Sequence, residues 1–327
     1  MAVSMSDVAR HAGVSQRTVS NVVNNYVHVS PATRARVQAS LDALGYRPNT
    51  AARRLRTGRT GTVTLAVPTF RERYFADLAE AIVGAARVRG TTVLVETTGG
   101  RRETELELLR GGGDILTDGV IMSAVSLGRG DRRGAHPVVL IGDREPGSTI
   151  DHVGIKNREA AQEAVTHLLD TGRRRILLLG ANRGPRRSYQ LRRQGYQAAL
   201  KKHGLDVDPE LIVDCDWTTA DAAVAVTRTF KGLKPDGIFA MNDSAALGAL
   251  RALRRGGVDV PREVSVIGFD DIVESGLSTP TLSTVAPLLD EIAASALDLL
   301  EEQLAEDHVP QHRMAGYELR LRESSTR

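Results

Sequence analysis

The stretch that decides the fold is DVARHAGVSQRTVSNVVN, residues 7–24. It predicts two short helices joined by a tight turn, in which Ser6 caps the first helix, Gly13 permits the turn and Ser15 caps the second helix. Small apolar residues would pack the two helices together; they are Val8, Ala12, Val14, Val19 and Val23. A hairpin of this kind is either purely structural or presents its second helix to a partner.

The outer face of the second helix favours a partner. Gln16, Arg17 and Asn21 remain on this face, and Arg17 and Asn21 share one side because they are four residues apart. Gln, Arg and Asn are the side chains that pair bidentately with adenine or guanine edges in the DNA major groove. The pattern therefore predicts a helix-turn-helix whose second helix reads DNA.

The charge of this region supports the same interpretation. A third helix should begin at Ser30-Pro31 and end near Gly45. Residues 1–58 contain eight Arg, no Lys and two acids, a net charge of +6, whereas the remainder has 35 basic and 38 acidic residues, a net charge of −3. A small basic module attached to a mildly acidic body is typical of a polyanion-binding head.

These segments resemble the N-terminal headpiece of the lactose-repressor (LacI/GalR) family of transcriptional regulators. The resemblance rests on residues 7–24, 29–34, 44–49 and 51–55. It implies DNA contacts from the reader helix and from the segment that follows the third helix. The implied DNA-binding residues are Ser15, Gln16, Arg17, Thr18, Asn21, Asn24, Tyr46, Asn49, Ala52, Arg53, Leu55 and Arg56.

Residues 46–60 form a linker that is too short to be a stable helix alone. The resemblance implies a hinge helix that pairs with its copy in a second protomer and inserts Leu55 as a wedge into the minor groove. Ala51 and Ala52 would allow two such helices to approach closely. The alternative is a solvated tether with an incidental leucine. Under either interpretation of the linker, the expected partner is double-stranded DNA with a pseudo-palindromic operator, bound by a homodimer.

From residue 61 onward, short apolar strands alternate with helices, which predicts parallel sheets covered on both faces. The body resembles the same family in residues 141–144, 156–161, 192–196, 241–243, 266–271 and 318–324. The expected fold class is an all-α helix-turn-helix headpiece plus an α/β periplasmic-binding-protein-like body of two subdomains. The predicted domains are a helix-turn-helix at 1–45, a hinge at 46–60, an N-terminal effector-binding subdomain at 61–155 and 286–316, and a C-terminal effector-binding subdomain at 156–285 and 317–327.

Ligands of open α/β sheets bind beyond the carboxyl ends of the strands. Asn242 and Asp270 follow predicted strands, and Arg192 lies near the start of a predicted helix. Arg, Asp and Asn together suit a hydroxyl-rich ligand, because their donors and acceptors match vicinal hydroxyls. Each also has a purely structural interpretation: Asp270 as a helix cap, Arg192 as the partner of a neighbouring carboxylate.

The resemblance implies that Arg192, Asn242 and Asp270 are the polar pocket positions. It also implies Trp217 as an aromatic wall, for which plain core is the alternative, and a second wall from residues 70–75, with Phe70 and Phe75. Two departures from the family pattern are Arg71-Glu72-Arg73 and the arginine-rich segment 183–187. Either an anionic ligand or a solvated loop would explain both. Ligand closure of the cleft would make or break the paired hinge helices.

Other function classes are disfavoured. The single cysteine, Cys215, excludes a disulfide framework, and His308 and His312 are separated by Pro310, so no metal site is expected. Neither a Ser-hydrolase elbow nor a phosphate-cradling loop is present, and the glycines of 128–134 miss the dinucleotide spacing, so neither an enzyme nor a cofactor is expected. The start of the sequence shows no leader and no run approaches a membrane span, so a cytoplasmic location without membrane contact is expected.

The sequence therefore predicts a repressor of carbohydrate-utilisation genes, controlled by a sugar or sugar derivative bound in the cleft of the body. The alternative is a solute-binding module of a transport or sensing system, which the basic head and the missing leader disfavour. A sugar-modifying enzyme is a third class, disfavoured by the absence of catalytic motifs.

Overall fold

The computed structural model describes residues 3–23, 26–46, 59–111, 117–128, 130–143, 148–180, 187–305 and 307–326. The chain divides into two compact units, Met1–Thr60 and Gly61–Arg327. The first unit is called the head and the second the body. Within the described residues, no helix is long and apolar enough to cross a membrane.

The head consists of three helices: α1 (Met5–Ala12), α2 (Gln16–Val23) and α3 (Pro31–Ala43). The predicted turn is confirmed, because Gly13 adopts the left-handed conformation with φ of 62°. Small apolar side chains from all three helices form one buried core, namely Val8, Ala9, Ala12, Val19, Val22, Val37 and Leu41. A core of so few side chains is marginal, so the helix caps make a large relative contribution to stability.

The caps of the head differ from the prediction at one position. Ser6 does not cap α1; Ser4 does, because the helix begins at Met5, earlier than the hydrophobic pattern indicates. The Ser4 hydroxyl accepts from the Asp7 N–H at 3.3 Å, and the Asp7 carboxylate accepts from the Ser4 N–H at 3.0 Å, which completes a capping box. The predicted cap at Ser15 is confirmed by its hydroxyl, which accepts from the Thr18 N–H at 3.1 Å.

The body alternates strands and helices. Its strands are β1 (Thr62–Val67), β2 (Thr92–Thr97), β3 (Val120–Met122), β4 (Val138–Ile141), β5 (Asp151–Ile155), β6 (Ile176–Leu179), β7 (Ile212–Val213), β8 (Gly237–Ala240), β9 (Ser265–Phe269), β10 (Ser283–Pro287), β11 (His312–Ala315) and β12 (Tyr317–Arg320). Its helices are α4 (Arg73–Val88), α5 (Arg102–Arg110), α6 (Asn157–Asp170), α7 (Arg187–Lys202), α8 (Thr219–Thr229), α9 (Asp243–Arg255), α10 (Val273–Leu277) and α11 (Leu289–Glu302).

The strands form two six-stranded sheets. The first has the order β11-β5-β4-β3-β1-β2 and is parallel throughout, and the second has the order β12-β10-β9-β8-β6-β7 and is parallel except for β12. The chain passes between the sheets after β5, after β10 and between β11 and β12. Ala286 and Pro287 still pair with β12, so the second sheet continues two residues past the predicted subdomain boundary at 285/286.

Helices cover the sheets with one apolar face each. In α4 the buried positions Phe75, Leu78, Ala79, Ile82 and Ala86 recur at helical spacing. Close helix packing depends on glycine at Gly195, where α7 packs on α6, and at Gly248, where α9 packs on α8. A side chain at Gly195 of α7 would overlap the Arg158 carbonyl of α6 and approach the Ala161 methyl to 2.8 Å, whereas Gly84 of α4 faces open space.

Candidate functional site

The predicted DNA-binding residues at the start of and within the reader helix α2 differ in their exposure to solvent. Ser15, Gln16 and Arg17 are exposed, whereas Thr18 and Asn21 are half-buried. The hydroxyls of Ser15 and Thr18 lie 2.9 Å apart, so the first turn of the helix is fixed by its own polar side chains. The exposed end of α2 is therefore its N-terminal turn, which is the part that contacts base edges in a helix-turn-helix.

Of the other seven predicted DNA-binding residues, the structure describes Tyr46. Tyr46 is half-buried and packs against the core of the head, which leaves part of its side chain accessible. The other six fall outside the described residues, as does most of the predicted hinge at 46–60; these six are Asn24, Asn49, Ala52, Arg53, Leu55 and Arg56.

The body contains a cavity of 480 Å³ where the carboxyl ends of strands from both sheets meet; this is called the first cavity. The first sheet contributes the segments that follow β3, β4 and β5, and the second contributes Asp270 directly after β9. Helices α4 and α7 add side chains from the two sides. This is the position at which open α/β sheets bind ligands, and the volume lies in the range of about 300–1,000 Å³ typical of small-molecule sites.

Arg192 lies at the centre of a buried polar network in this cavity. Its Nε donates to the Asn157 Oδ1 at 2.8 Å, its Nη1 donates to the Met241 carbonyl oxygen, and its Nη2 lies 3.7 Å from the Asp270 carboxylate. The guanidinium also stacks on the Phe269 ring, 3.4 Å from the ring centroid. The side chain is therefore held in one orientation before any ligand arrives, which reduces the entropic cost of binding.

Asp270 occupies an unusual backbone conformation, with φ of 109°, and Asp271 beside it has φ of 54°. Positive φ at two successive non-glycine residues is costly and persists only where surrounding contacts enforce it. Asp271 is held by ion pairs to Arg320 and Arg322, the second at 2.6 Å. Burial raises the pKa of Asp270 well above its ordinary value, and the neighbouring Arg192 opposes this shift. The contacts of Asp271 on the side away from the cavity therefore fix the position from which the Asp270 carboxylate lines the cavity.

The side chain of Asp243 stabilises the Asp270–Asp271 turn through hydrogen bonds to the residues that follow it. Its buried carboxylate accepts from the Ile272 N–H at 3.1 Å, from the Ser275 hydroxyl at 2.7 Å and from the Thr284 hydroxyl at 2.6 Å. These three donors lie on α10, on the residue before it and on β10. Asp243 therefore ties the Asp270–Asp271 turn to the rest of the second sheet.

Trp217 lines the first cavity as a fixed wall. Its indole Nε1 donates to the Gly180 carbonyl oxygen at 2.9 Å, and its own carbonyl oxygen accepts from the Asn242 Nδ2 at 3.1 Å. Asn242 is not a lining residue of this cavity: its Oδ1 accepts from the Ala245 N–H at 2.9 Å, so it caps α9. Asn242 thus lies behind the cavity wall, where its amide holds the main chain of Trp217 and the first turn of α9, and its contact with a ligand remains a prediction.

The two predicted phenylalanines have different positions. Phe75 is buried and lines the first cavity, whereas Phe70 is 47% exposed and is not among the residues that line it. The reason is local: α4 begins at Arg73, which turns Phe75 inward, while Phe70 precedes the helix. The structure thus brings Phe75, Arg192, Trp217 and Asp270 together around one cavity.

Asp143 and Asn157 also line the cavity and were not predicted as site residues, whereas Tyr74 lies within the predicted wall at 70–75. Asn157 joins Arg192 to Asp143, because its Nδ2 donates to the Asp143 carboxylate at 2.9 Å. Tyr74 also lines the cavity, and burial together with the nearby Asp270 raises its pKa above the ordinary value. Asp143 and Asn157 both follow strands of the first sheet, so the rule that ligands bind at strand ends could have found them once β5 was known.

The head has the helix-turn-helix architecture of a DNA reader, and the body has the two-sheet architecture of a small-molecule receptor. Together these features define a DNA-binding transcriptional regulator with an effector-binding body. Within the described residues, no group of three or more His, Cys, Asp or Glu side chains is placed to hold a metal ion.

Comparison with known proteins agrees with this class. The profile of the bacterial regulatory proteins, lacI family, matches residues 4–49, and that of the periplasmic binding protein-like domain matches residues 165–325. Catabolite control protein A of Priestia megaterium is 32% identical over 94% of this chain and 95% of its own. The chain therefore belongs to the lacI family, whose members regulate transcription.

Two solved structures extend the comparison. The transcriptional regulator CelR in complex with cellobiose superposes with a TM-score of 0.72 and 29% identity, covering 98% of this chain and 99% of its own. The lac repressor dimer bound to operator and the anti-inducer ONPF superposes with a TM-score of 0.84 and 25% identity, covering 99% of both chains.

Proposed function

We propose that this regulator acts in the cytoplasm as a homodimeric repressor of carbohydrate-utilisation genes, released from or recruited to a pseudo-palindromic operator by a sugar in the first cavity. The observation that carries the proposal is the pre-oriented Arg192–Asp270 pair beside Trp217. A guanidinium and a carboxylate side by side offer donors and acceptors to vicinal hydroxyls, and an indole offers an apolar surface to the C–H face of a sugar ring. The cytoplasmic location follows from the DNA-binding class.

The ligand half of this proposal is tested with a thermal-shift panel of pentoses, hexoses, disaccharides, sugar phosphates and purines on the full-length protein. A ligand that binds only the native state must raise the melting temperature. We expect a neutral sugar to give a shift that disappears in Asp270→Asn; asparagine is chosen because it tolerates positive φ. If purines or sugar phosphates alone produce the shift, the sugar assignment is wrong.

The DNA half is tested with a duplex selected by the full-length protein from a random library. Arg17 is exposed on the N-terminal turn of α2, so we propose that it contacts a base edge. Arg17→Ala should then cost about 1–3 kcal/mol on the selected duplex and relax the preference at one base position.

The matched control is Arg36→Ala, which removes an exposed arginine from α3. It should weaken binding equally for selected and scrambled duplexes, if at all, because a phosphate contact carries no sequence information. Unchanged sequence preference in Arg17→Ala would refute the assignment of the reader helix.

A further inference from the structure

A second cavity adjoins the first. It has a volume of 460 Å³, and Trp217 and Glu72 line both cavities. Thr69 and Arg71, which follow β1, line it from the first sheet. Asp216, Thr219 and Ser244 line it from the second sheet and its helices. The cleft of the body thus continues past Trp217 into a space almost as large as the first cavity.

Apart from Trp217, every residue that lines the second cavity is polar or charged. Its lining residues offer hydroxyl, carboxylate and guanidinium groups. The Thr69 hydroxyl accepts from the Arg71 N–H at 3.1 Å, and a hydroxyl that accepts one hydrogen bond can still donate its own hydrogen. An aromatic side chain surrounded by such groups combines the two contacts that a sugar ring needs, a stacking surface and a ring of hydrogen-bonding groups.

The indole is fixed as a shared boundary. The hydrogen bond from its Nε1 to Gly180 holds one end, and the bond from Asn242 holds its main chain. Gly180 has φ of 94°, and a side chain there would come within 3.2 Å of the indole nitrogen. The Trp217 ring therefore has a defined position before ligand binding, and a ligand that spans both cavities would meet it without rearrangement.

The charges around the two cavities favour a neutral ligand. Among the described lining residues, four carboxylates (Glu72, Asp143, Asp216 and Asp270) accompany three guanidiniums (Arg71, Arg187 and Arg192). One guanidinium, Arg192, is already engaged by Asp270, Asn157 and Met241. Among the described lining residues, a phosphorylated or acidic sugar would therefore meet no surplus of positive charge to compensate its desolvation.

We propose that the second cavity is a subsite for a second sugar unit, and that the effector is a neutral disaccharide or longer oligosaccharide. One unit lies in the first cavity beside Asp270, and the next unit passes Trp217 to reach Asp216 and Arg71. This inference rests on the proposed sugar-binding function and specifies its ligand class.

The test is isothermal titration calorimetry of the full-length protein with xylose, glucose and the corresponding xylo-, cello- and malto-oligosaccharides. We expect one of the disaccharides to bind at least about ten-fold more tightly than its own monosaccharide, which is the contribution of about one added hydrogen bond to a charged group. Asp216→Ala and Arg71→Ala should each remove most of that advantage and leave the monosaccharide affinity unchanged. Asp270→Asn should weaken both ligands.

Asp214→Ala is the matched control, because it removes a carboxylate from the same loop outside both cavities. A monosaccharide that binds as tightly as every longer sugar would overturn the subsite and leave the sugar-binding function intact. The subsite is equally overturned if Asp216→Ala and Arg71→Ala weaken mono- and disaccharide to the same extent. Failure of every sugar to bind would overturn both the subsite and the proposed function.

Discussion

The buried Asp243 should make the stability of the body depend on pH, and one substitution should remove that dependence. Asp243 is fully buried, and burial raises its pKa from the ordinary 3.8 to about 7 despite the hydrogen bonds from Thr284, Ser275 and Ile272. The native state therefore binds a proton at pH values where the unfolded chain has already released it. Stability from this group is complete below pH 4 and is lost as the pH rises toward 7.

The magnitude follows from the shift. One pKa unit corresponds to about 1.4 kcal/mol, so the shift from 3.8 to about 7 amounts to ~4 kcal/mol over the whole range. According to the linkage relation, the free energy of unfolding falls by ~3 kcal/mol of this amount between pH 5 and pH 8. Asp243→Asn cannot titrate, and its amide oxygen can still accept from Ile272 and Ser275. The stability of the variant relative to the wild type should therefore rise by ~3 kcal/mol between pH 5 and pH 8.

The assay is urea denaturation of full-length wild type and Asp243→Asn at half-unit steps from pH 5 to pH 8, followed by circular dichroism. Taking the difference between the two proteins cancels the contribution of every other titrating group. Asp290→Asn, which removes an exposed carboxylate from the first turn of α11, is the control for the loss of one acidic side chain from the body. Parallel curves for Asp243→Asn and the wild type would show that this carboxylate keeps its ordinary pKa, and the reasoning would fail.

Further substitutions test the helix packing and the capping described above, and the hydrogen bonds of the buried Arg173. Gly195→Ala should destabilise the body by about 1–3 kcal/mol in urea denaturation because the added methyl overlaps α6, whereas Gly84→Ala should stabilise it by about 0.5–1 kcal/mol; equal effects would contradict the packing. Ser4→Ala should lower the stability of the head by about 1 kcal/mol and Ser6→Ala should change it little, measured by the thermal transition of the head, and the reverse order would restore the sequence-based cap. Arg173→Lys should cost about 2–4 kcal/mol, because a single ammonium cannot reach the four acceptors that the buried guanidinium contacts; a loss below about 1 kcal/mol by urea denaturation would refute this.

The sequence predicted most helices and the apolar strands because their signals are local. The alternation of apolar strands and helices predicted from residue 61 onward is of this kind, as β1 with its sequence TVTLAV shows. Strands such as β5 and β11 have no apolar run. In β5 the sequence DHVGI is buried throughout, and its Asp151 carboxylate is satisfied by His308 at 2.8 Å, more than 150 residues away. Burial of this kind depends on a distant partner, which local periodicity cannot report.

The same distinction separates the parts of the site. Asp270 could be predicted because it follows an apolar strand, and Trp217 through the family resemblance. The role of Asn157 depends on two partners, Asp143 and Arg192, that come from different strands and helices. Asn242 carries the residue type of a ligand contact, but its actual partners are Trp217 and Ala245. Residue type and strand order therefore locate the cleft, whereas the hydrogen-bond network decides which side chains remain available to a ligand.

Trp217 is the only tryptophan in the sequence, and it borders both cavities of the body. Light absorbed selectively by indole will therefore excite one position in each chain, and its emission will report on the cleft alone. The Arg192 guanidinium, 5.7 Å from the ring centroid, and any sugar that displaces water from the ring both alter the surroundings of that chromophore. The protein thus carries an intrinsic optical sensor for its effector, and the rate of ligand entry can be followed in rapid mixing without attaching a dye.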